Sequence, residues 1–168
     1  DPDFRPYEAF RRQIESRLPI LPPFRRRLVE VPFGLDHPYW INDPDFDLDF
    51  HVRELALPTP GDDGQLAEQV ARIVARPLDR SRPLWELYVI HGLADGRIAQ
   101  LTKIHHAAID GVGGAQLLAN ILDLEPDAPP RPGPCPEPER IPTQEEMLLR
   151  GLTSLATRPY KQGRLAVR

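Results

Sequence analysis

The spacing of apolar residues along the chain predicts an alternation of helices and strands. After Pro6, apolar residues recur at intervals of three and four, which predicts an amphipathic helix over residues 6–18. A second helix is predicted over residues 65–76, where one face is apolar and Pro77 ends the pattern. Residues 34–47 follow neither period, so we expect them to be irregular. Runs rich in β-branched and aromatic side chains predict four strands, over residues 24–31, 50–57, 85–90 and 97–104.

The last two of these strands are predicted to form a hairpin. They flank residues 92–96, which contain the glycine and aspartate residues typical of a tight turn. The second strand of the hairpin runs directly into His105 and His106. A glycine-rich turn that starts at Gly111 follows, and a helix is predicted over residues 115–124. The order is therefore strand, histidine pair, glycine turn and helix.

Prolines divide the chain. Eight of its 21 prolines fall within residues 126–142, which indicates a linker. Thr143 and Glu146 then have the spacing of a capping box, which predicts a helix outside the main body. We divide the chain into a domain over residues 1–125, the linker over residues 126–142, and a helical segment over residues 143–168.

Composition and charge narrow the possible classes of protein. The 168 residues include 25 acidic and 21 basic side chains, and the net charge of −4 disfavours binding to nucleic acid. The single cysteine, Cys135, cannot form a disulfide within the chain, and no apolar run has the roughly 20 residues of a membrane-spanning helix. We expect a cytoplasmic protein. Because the chain begins at Asp1 without a methionine, we treat it as a possible fragment.

The segment from His105 to Gly111 is the strongest candidate for chemistry. A histidine at the end of a rigid strand is well placed to act as a general base near neutral pH. Neighbouring side chains on an extended backbone point to opposite faces, so we expect only one histidine of the pair to face a substrate. Asp110 could fix a tautomer, bind an arginine or brace the turn. The alternative is that all three polar side chains only satisfy local hydrogen bonds.

Other features have simpler structural explanations. No further cysteine or histidine lies near His105 to complete a zinc site, so we expect no metal. The alternating aspartates of residues 43–49 lack the glycine and the glutamate that a calcium loop requires. Three consecutive arginines, residues 25–27, are expected to lie on a solvated strand face. The isolated histidines are expected to be packed or on the surface, and they are His37, His51 and His91.

Two motifs resemble those of a known family. His105 to Gly111 reads His-His-x-x-x-Asp-Gly, which resembles the active-site motif of the CoA-dependent acyltransferase superfamily. That superfamily includes chloramphenicol acetyltransferase and the condensation domains of peptide synthetases. Pro83-Leu84-Trp85, which a strand follows, is similar to a motif of the bacterial wax ester synthase/diacylglycerol acyltransferase family. The chain therefore resembles the amino-terminal half of such an enzyme.

The resemblance implies a fold and a reaction. The implied fold is α/β (α+β), half of a chloramphenicol-acetyltransferase-like sandwich, with a mixed β-sheet flanked by helices. His106 would be the general base that removes the proton from an alcohol, whose oxygen then attacks the thioester of acyl-CoA. His105 would support His106, Asp110 would hold the loop in shape through an arginine, and Gly111 would leave room in the channel.

The resemblance also implies substrates and partners. The donor would be acyl-CoA as a co-substrate without any further cofactor, and the acceptor would be diacylglycerol or a fatty alcohol. Pro83, Leu84 and Trp85 would shape the substrate tunnel or its structural wall. The partner would be the second half-domain, on the same or a separate chain, and insoluble products are compatible with peripheral contact to the inner membrane or lipid bodies.

Two alternatives stay open at this point. One is a condensation-type acyltransferase that uses carrier-protein thioesters, against which the motif from Pro83 to Trp85 argues. The other is a catalytically silent binding relative that keeps the two histidines for structure.

Overall fold

The computed structural model describes residues 5–109, 120–122 and 137–165. Several sequence predictions lie outside these residues. They are the roles of Asp110, Gly111 and Cys135, most of the helix predicted over residues 115–124, and the greater part of the predicted linker.

Two helices of the half-domain form where their periodicity predicts them. Helix α1 spans Pro6–Arg17 and begins with a proline, which needs no hydrogen-bond partner for its nitrogen at that position. Helix α4 spans Asp63–Ala75. Its first turn is capped reciprocally, because the Asp62 carboxylate accepts from Gln65 N at 2.9 Å and the Gln65 side chain accepts from Asp62 N at 3.1 Å.

A three-stranded mixed sheet lies at the centre, and its strands are β3 (Val52–Ala56), β4 (Trp85–His91) and β5 (Ala99–Ile104). Strand β4 is in the middle, parallel to β3 and antiparallel to β5. Alternate side chains of β4 join two apolar clusters, one with α1 and one with α4. The sheet is thus covered on both faces, and the predicted mixed sheet with flanking helices is confirmed. The connection between β4 and β5 covers residues 92–98 and is longer than predicted.

A second, two-stranded sheet corrects the sequence analysis. Strand β1 is limited to Arg26–Val29, because Pro22–Arg25 forms a helical turn, α2, where we expected the strand to begin. Strand β2, Tyr39–Asn42, pairs antiparallel with β1, so the prediction that residues 34–47 are irregular is wrong there. Four residues are too few to show a period, and the partner strand defines β2. A further turn, α3 (Leu48–His51), precedes β3.

Helix α5, Gln144–Leu165, begins at the predicted capping box. Thr143 N donates to the Glu146 carboxylate at 2.8 Å, and Glu146 N donates to Thr143 Oγ1 at 3.3 Å. The helix packs against the segment after β1 rather than standing apart. A Cβ atom on Gly151 would lie 2.8 Å from a methyl group of Val31, so a glycine at this position allows the close approach.

Four rings in a row form the core at one end of the sheet. The ring centroids of Phe24 and Trp85 lie 4.1 Å apart, those of Trp85 and His51 lie 4.5 Å apart, and those of His51 and Phe46 lie 5.3 Å apart. Trp85 Nε1 donates to the Phe24 carbonyl at 2.9 Å. His51 Nδ1 lies 2.8 Å from the Trp85 carbonyl oxygen, and it must donate because that oxygen can only accept. The stack joins α2, β4 and the turn before β3.

His51 is neutral in this position. Its side chain is fully buried, and burial lowers its pKa because the charged form loses its hydration. The hydrogen bond to Trp85 acts in the opposite direction. Of the nearby charges, Arg82 and Arg53 also lower the pKa of His51, whereas Asp43 raises it.

The lowered pKa of His51 predicts a loss of stability in mild acid. Below about pH 6.5, His51 takes up a proton in the unfolded chain but not in the folded chain, so the free energy of unfolding falls as the pH falls. One such proton contributes a slope of up to about 1.4 kcal/mol per pH unit. Urea unfolding between pH 7.5 and 5 should show that His51→Asn lacks this contribution. His37→Asn, at an exposed position, should keep it. Equal slopes for wild type and His51→Asn would contradict the assignment.

The stack also predicts that the two tryptophans differ in their effect on stability. Trp85→Phe removes the donor to the Phe24 carbonyl and leaves a small cavity, so we expect it to lower the free energy of unfolding by about 2–4 kcal/mol. Trp40 is 37% exposed, and Trp40→Phe should cost less than about 1 kcal/mol. Urea unfolding of both variants at pH 7.5 tests this. Equal losses in the free energy of unfolding would show that the ring stack is not the core at this end of the sheet.

Candidate active site

The two sequence motifs meet at one end of the three-stranded sheet. Trp85, the first residue of β4, is paired with Ile104, the last residue of β5. Just beyond this pair, His105 N donates to the Leu84 carbonyl at 2.9 Å. The histidine motif and the Pro-Leu-Trp motif are therefore linked by the main chain, although twenty residues separate them in sequence.

His105 shapes the turn that follows the strand. Its Nδ1 atom accepts a hydrogen bond from Ala107 N at 3.0 Å and so caps the 3₁₀ turn His106–Ala108. Because Nδ1 accepts this bond, the neutral ring carries its hydrogen on Nε2. The ring is exposed but held in place.

His106 begins the turn, and its side chain is exposed. Within residues 5–109, 120–122 and 137–165, no hydrogen bond to its ring is formed by the protein. The two neighbouring histidines therefore differ in their hydrogen bonds, although both rings are exposed. Which of them faces a substrate stays a prediction.

The Pro-Leu-Trp motif lies in the core. Pro83, Leu84 and Trp85 are all buried, and Trp85 belongs to the ring stack. This burial is consistent with a structural role for the motif. That the motif also borders a substrate tunnel stays a prediction.

A small pocket lies beside the histidine turn. Its volume is about 90 Å³, and its described lining consists of Pro23, Arg26, Trp40, Ala107 and Ala108. The two-stranded sheet therefore forms a wall next to the residues that follow His106. Sequence reasoning missed Trp40 because it missed β2, although three consecutive β-prone residues, 39–41, were a signal for it.

The three consecutive arginines have three different environments. Arg27 lies 3.6 Å from the carboxylate of Asp43, and both side chains are largely buried. The Arg25 guanidinium lies 5.2 Å from the ring centroid of Phe46. The expectation of a solvated strand face is right only for Arg26, which is exposed. Alternation along β1 explains the difference, because Arg26 and Arg27 point to opposite faces.

A buried carboxylate lies on the α4 side of the sheet. Glu86 is 8% exposed, it accepts from the Tyr88 hydroxyl at 2.7 Å, and it lies 3.7 Å from Arg53. Burial raises the pKa of Tyr88, and the hydrogen bond to Glu86 raises it further. On β5, Lys103 Nζ donates to the Ile73 carbonyl at 2.8 Å. It thereby provides a hydrogen-bond partner for a carbonyl group near the end of α4, where the helix itself offers none. Sequence reasoning gave no indication of this polar network.

The remaining histidines are packed or on the surface, as predicted. His51 lies in the ring stack, His37 is exposed, and His91 Nε2 lies 2.8 Å from a carboxylate oxygen of Glu54. Among the described residues there is no group of three side chains that could hold a metal ion. In the same part of the chain, no helix has the length and apolar character needed to cross a membrane.

Comparison with known proteins gives the family. A family model described as the wax ester synthase/diacylglycerol acyltransferase catalytic domain matches residues 2–166. A probable diacylglycerol O-acyltransferase of Mycobacterium tuberculosis is 46% identical over 156 residues, which are 93% of this chain and 58% of that protein. A putative diacylglycerol O-acyltransferase of the same species is 42% identical over 166 residues, which are 99% of this chain and 34% of that protein. The chain thus spans between a third and three fifths of the length of these relatives.

Solved structures give the same result for the fold. The wax ester synthase/diacylglycerol acyltransferase from Marinobacter aquaeolei VT8 matches with a TM-score of 0.60 and 32% identity, over 77% of this chain and 33% of that chain. The first condensation domain of the calcium-dependent antibiotic synthetase matches with a TM-score of 0.54 at 18% identity, over 68% of this chain and 27% of that chain. The second likeness concerns the fold alone. Since the family model covers almost the whole chain and the two relatives are named as diacylglycerol O-acyltransferases, we conclude that this chain belongs to the wax ester synthase/diacylglycerol acyltransferase catalytic domain family.

Proposed function

We propose that this protein supplies the general base of an O-acyltransferase that moves a long acyl chain from acyl-CoA to diacylglycerol or a fatty alcohol. The family and the names of the relatives support the reaction class. The observation that carries the proposal is the contrast between the two histidines. Both rings are exposed beyond the end of β5, but His105 is bonded to the turn, whereas the His106 ring has no hydrogen bond to any described protein group.

The chemistry requires one base and no covalent intermediate on the protein. A nitrogen of His106 takes the proton of the acceptor hydroxyl while the oxygen attacks the thioester carbonyl. The resulting tetrahedral intermediate loses the CoA thiolate, which takes the proton back from His106. The products are an ester and CoA, and the histidine returns to its neutral form. Acyl-CoA is a co-substrate in this scheme, and no further cofactor or metal takes part.

The other residues of the two motifs position the base. His105 holds the turn through Ala107 N, and the Leu84 carbonyl holds the backbone of His105. We assign Pro83 and Trp85 to the wall behind the site because both are buried. The roles of Asp110 and Gly111, namely bracing the loop and leaving room in the channel, are part of the same proposal.

The proposal includes a partner and a location. Because the chain spans 58% and 34% of two relatives, we propose that a second half-domain, on the same or a separate chain, completes the substrate channel. The enzyme would act in the cytoplasm, with peripheral contact to the inner membrane or lipid bodies where its lipid substrates and products lie.

Removing the base should abolish turnover without unfolding the protein. We expect His106→Ala to lower kcat for acyl transfer from palmitoyl-CoA by about 100-fold or more. The assay uses this chain alone and a chimera in which it replaces the matching 166 residues of the 42% identical relative. His37→Ala makes the same chemical change at an exposed position and should leave kcat within about twofold. Circular dichroism checks the fold. A His106→Ala enzyme with intact fold and more than a tenth of the wild-type kcat would support a silent histidine pair instead.

The positioning role of His105 predicts rescue by a conservative substitution. His105→Ala removes the acceptor for Ala107 N, so the turn loosens and kcat should fall about tenfold. Asparagine carries an acceptor oxygen near the position of Nδ1, and His105→Asn should recover most of that loss. The test is kcat and KM for both variants in the same assay. Equal losses in both variants would mean that the imidazole itself takes part in the reaction.

A further inference from the structure

Two arginines share one aromatic ring at the end of the sheet that carries the histidines. The Arg53 guanidinium carbon lies 4.6 Å from the ring centroid of Phe50, and that of Arg82 lies 4.2 Å from the same centroid. Phe50 and Arg82 come just before the parallel strands β3 and β4, which begin at this end. The antiparallel strand β5 finishes there and leads into His105. The topology therefore brings both arginines to the same end of the sheet as the proposed base.

The charges of these arginines are only weakly neutralised. The Asp79 carboxylate lies 3.9 Å from Arg82 Nε, and the Glu86 carboxylate lies 3.7 Å from Arg53 Nη2, so both distances exceed a hydrogen bond. Each arginine side chain is about one-third exposed. The Phe50 ring carries no charge, so its contacts with both guanidinium groups do not neutralise them.

The nearby carboxylates have other partners. Asp79 accepts from Ser81 N at 2.8 Å and from Ser81 Oγ at 2.7 Å, and Glu86 accepts from the Tyr88 hydroxyl at 2.7 Å. Arg53 uses Nε for the Phe50 carbonyl at 2.7 Å, which fixes its orientation. In the part of the chain that the structure describes, the Arg82 guanidinium makes no hydrogen bond to the protein. Arg53 Nη1 also donates to the Tyr88 hydroxyl at 3.4 Å. Donors for an anion therefore come from Arg82 and from Nη2 of Arg53.

We propose that Arg53 and Arg82, held on the ring of Phe50, bind a phosphate group of the acyl-CoA donor. This inference rests on the proposed function. Of the two substrates in that reaction, only the CoA thioester carries phosphate, whereas diacylglycerol and fatty alcohols are uncharged. The two guanidinium carbons lie 4.6 and 4.2 Å from the same ring centroid, so both positive charges lie in one small region of the protein.

The position relative to the histidines also fits a CoA thioester. Strand β3, next to the arginine pair, is two strand spacings from β5, which is roughly 10 Å. The extended pantetheine arm between the thioester sulfur and the diphosphate of CoA can span such a separation. An anionic lipid headgroup carries the same phosphate chemistry, so the experiment must separate the two sources.

The test compares two donors, one with the nucleotide and phosphates of CoA and one without them. Palmitoyl-CoA carries the nucleotide and its phosphates, and palmitoyl-pantetheine carries neither. We expect Arg82→Gln and Arg53→Gln each to raise KM for palmitoyl-CoA about tenfold while kcat stays within twofold. KM for palmitoyl-pantetheine should not change. Arg72→Gln removes an equal charge from an exposed ion pair on α4 and should leave both KM values unchanged.

A second measurement needs only the wild-type enzyme. Adenosine 3′,5′-bisphosphate should compete with palmitoyl-CoA but should not inhibit transfer from palmitoyl-pantetheine competitively.

Equal effects of Arg82→Gln on KM for both donors, or no effect on either, would overturn the phosphate site and leave the proposed acyl transfer unaffected. Loss of binding to phosphatidylglycerol vesicles with an unchanged KM for palmitoyl-CoA would assign the site to a lipid headgroup and also overturn the inference. Failure of wild type to use either donor would overturn the proposed function itself.

Discussion

The hydrogen bond between His51 and the carbonyl of Trp85 is the contact on which the rest of the structure depends. It lies inside a stack of four rings that joins the turn before β3, the start of β4 and the helical turn before β1. The bond requires a hydrogen on Nδ1, and burial favours the neutral ring by lowering the pKa of His51. The stack around this bond thus fixes where three segments of the chain meet.

The proposed site is built on that fixed end of the sheet. Trp85 is paired with Ile104. Their neighbours Leu84 and His105 are joined by a hydrogen bond from His105 N to the Leu84 carbonyl. The rigid core therefore sets the position of the histidine turn, and His105 sets its shape. A base stays aligned with a hydroxyl only if its backbone is held in place. In the proposed reaction, the apolar core therefore supports catalysis by fixing the backbone next to His106.

The sequence predicted what depends on period and local chemistry. Helices α1 and α4, the hairpin of β4 and β5, and the capping box of α5 each have a signal within one segment. Strand β2 has only four residues, so the β-prone residues 39–41 are a weak signal, and its pairing with β1 is what defines it. The shared ring of Phe50 brings together Arg53 and Arg82, from two segments about thirty residues apart. Their proximity arises from the parallel pairing of β3 and β4, which no local pattern encodes.

The proposed reaction assigns the proton transfer to His106 because His105 is bonded to the turn. The most direct measurement is the stoichiometry of the reaction, with palmitoyl-CoA offered together with diacylglycerol or hexadecanol to the chain and to its chimera with the longer relative. The account predicts that one CoA is released for each ester formed, with the acyl group found only on the acceptor. Release of CoA with free palmitate as the product, or transfer only from a carrier-protein thioester, would contradict it.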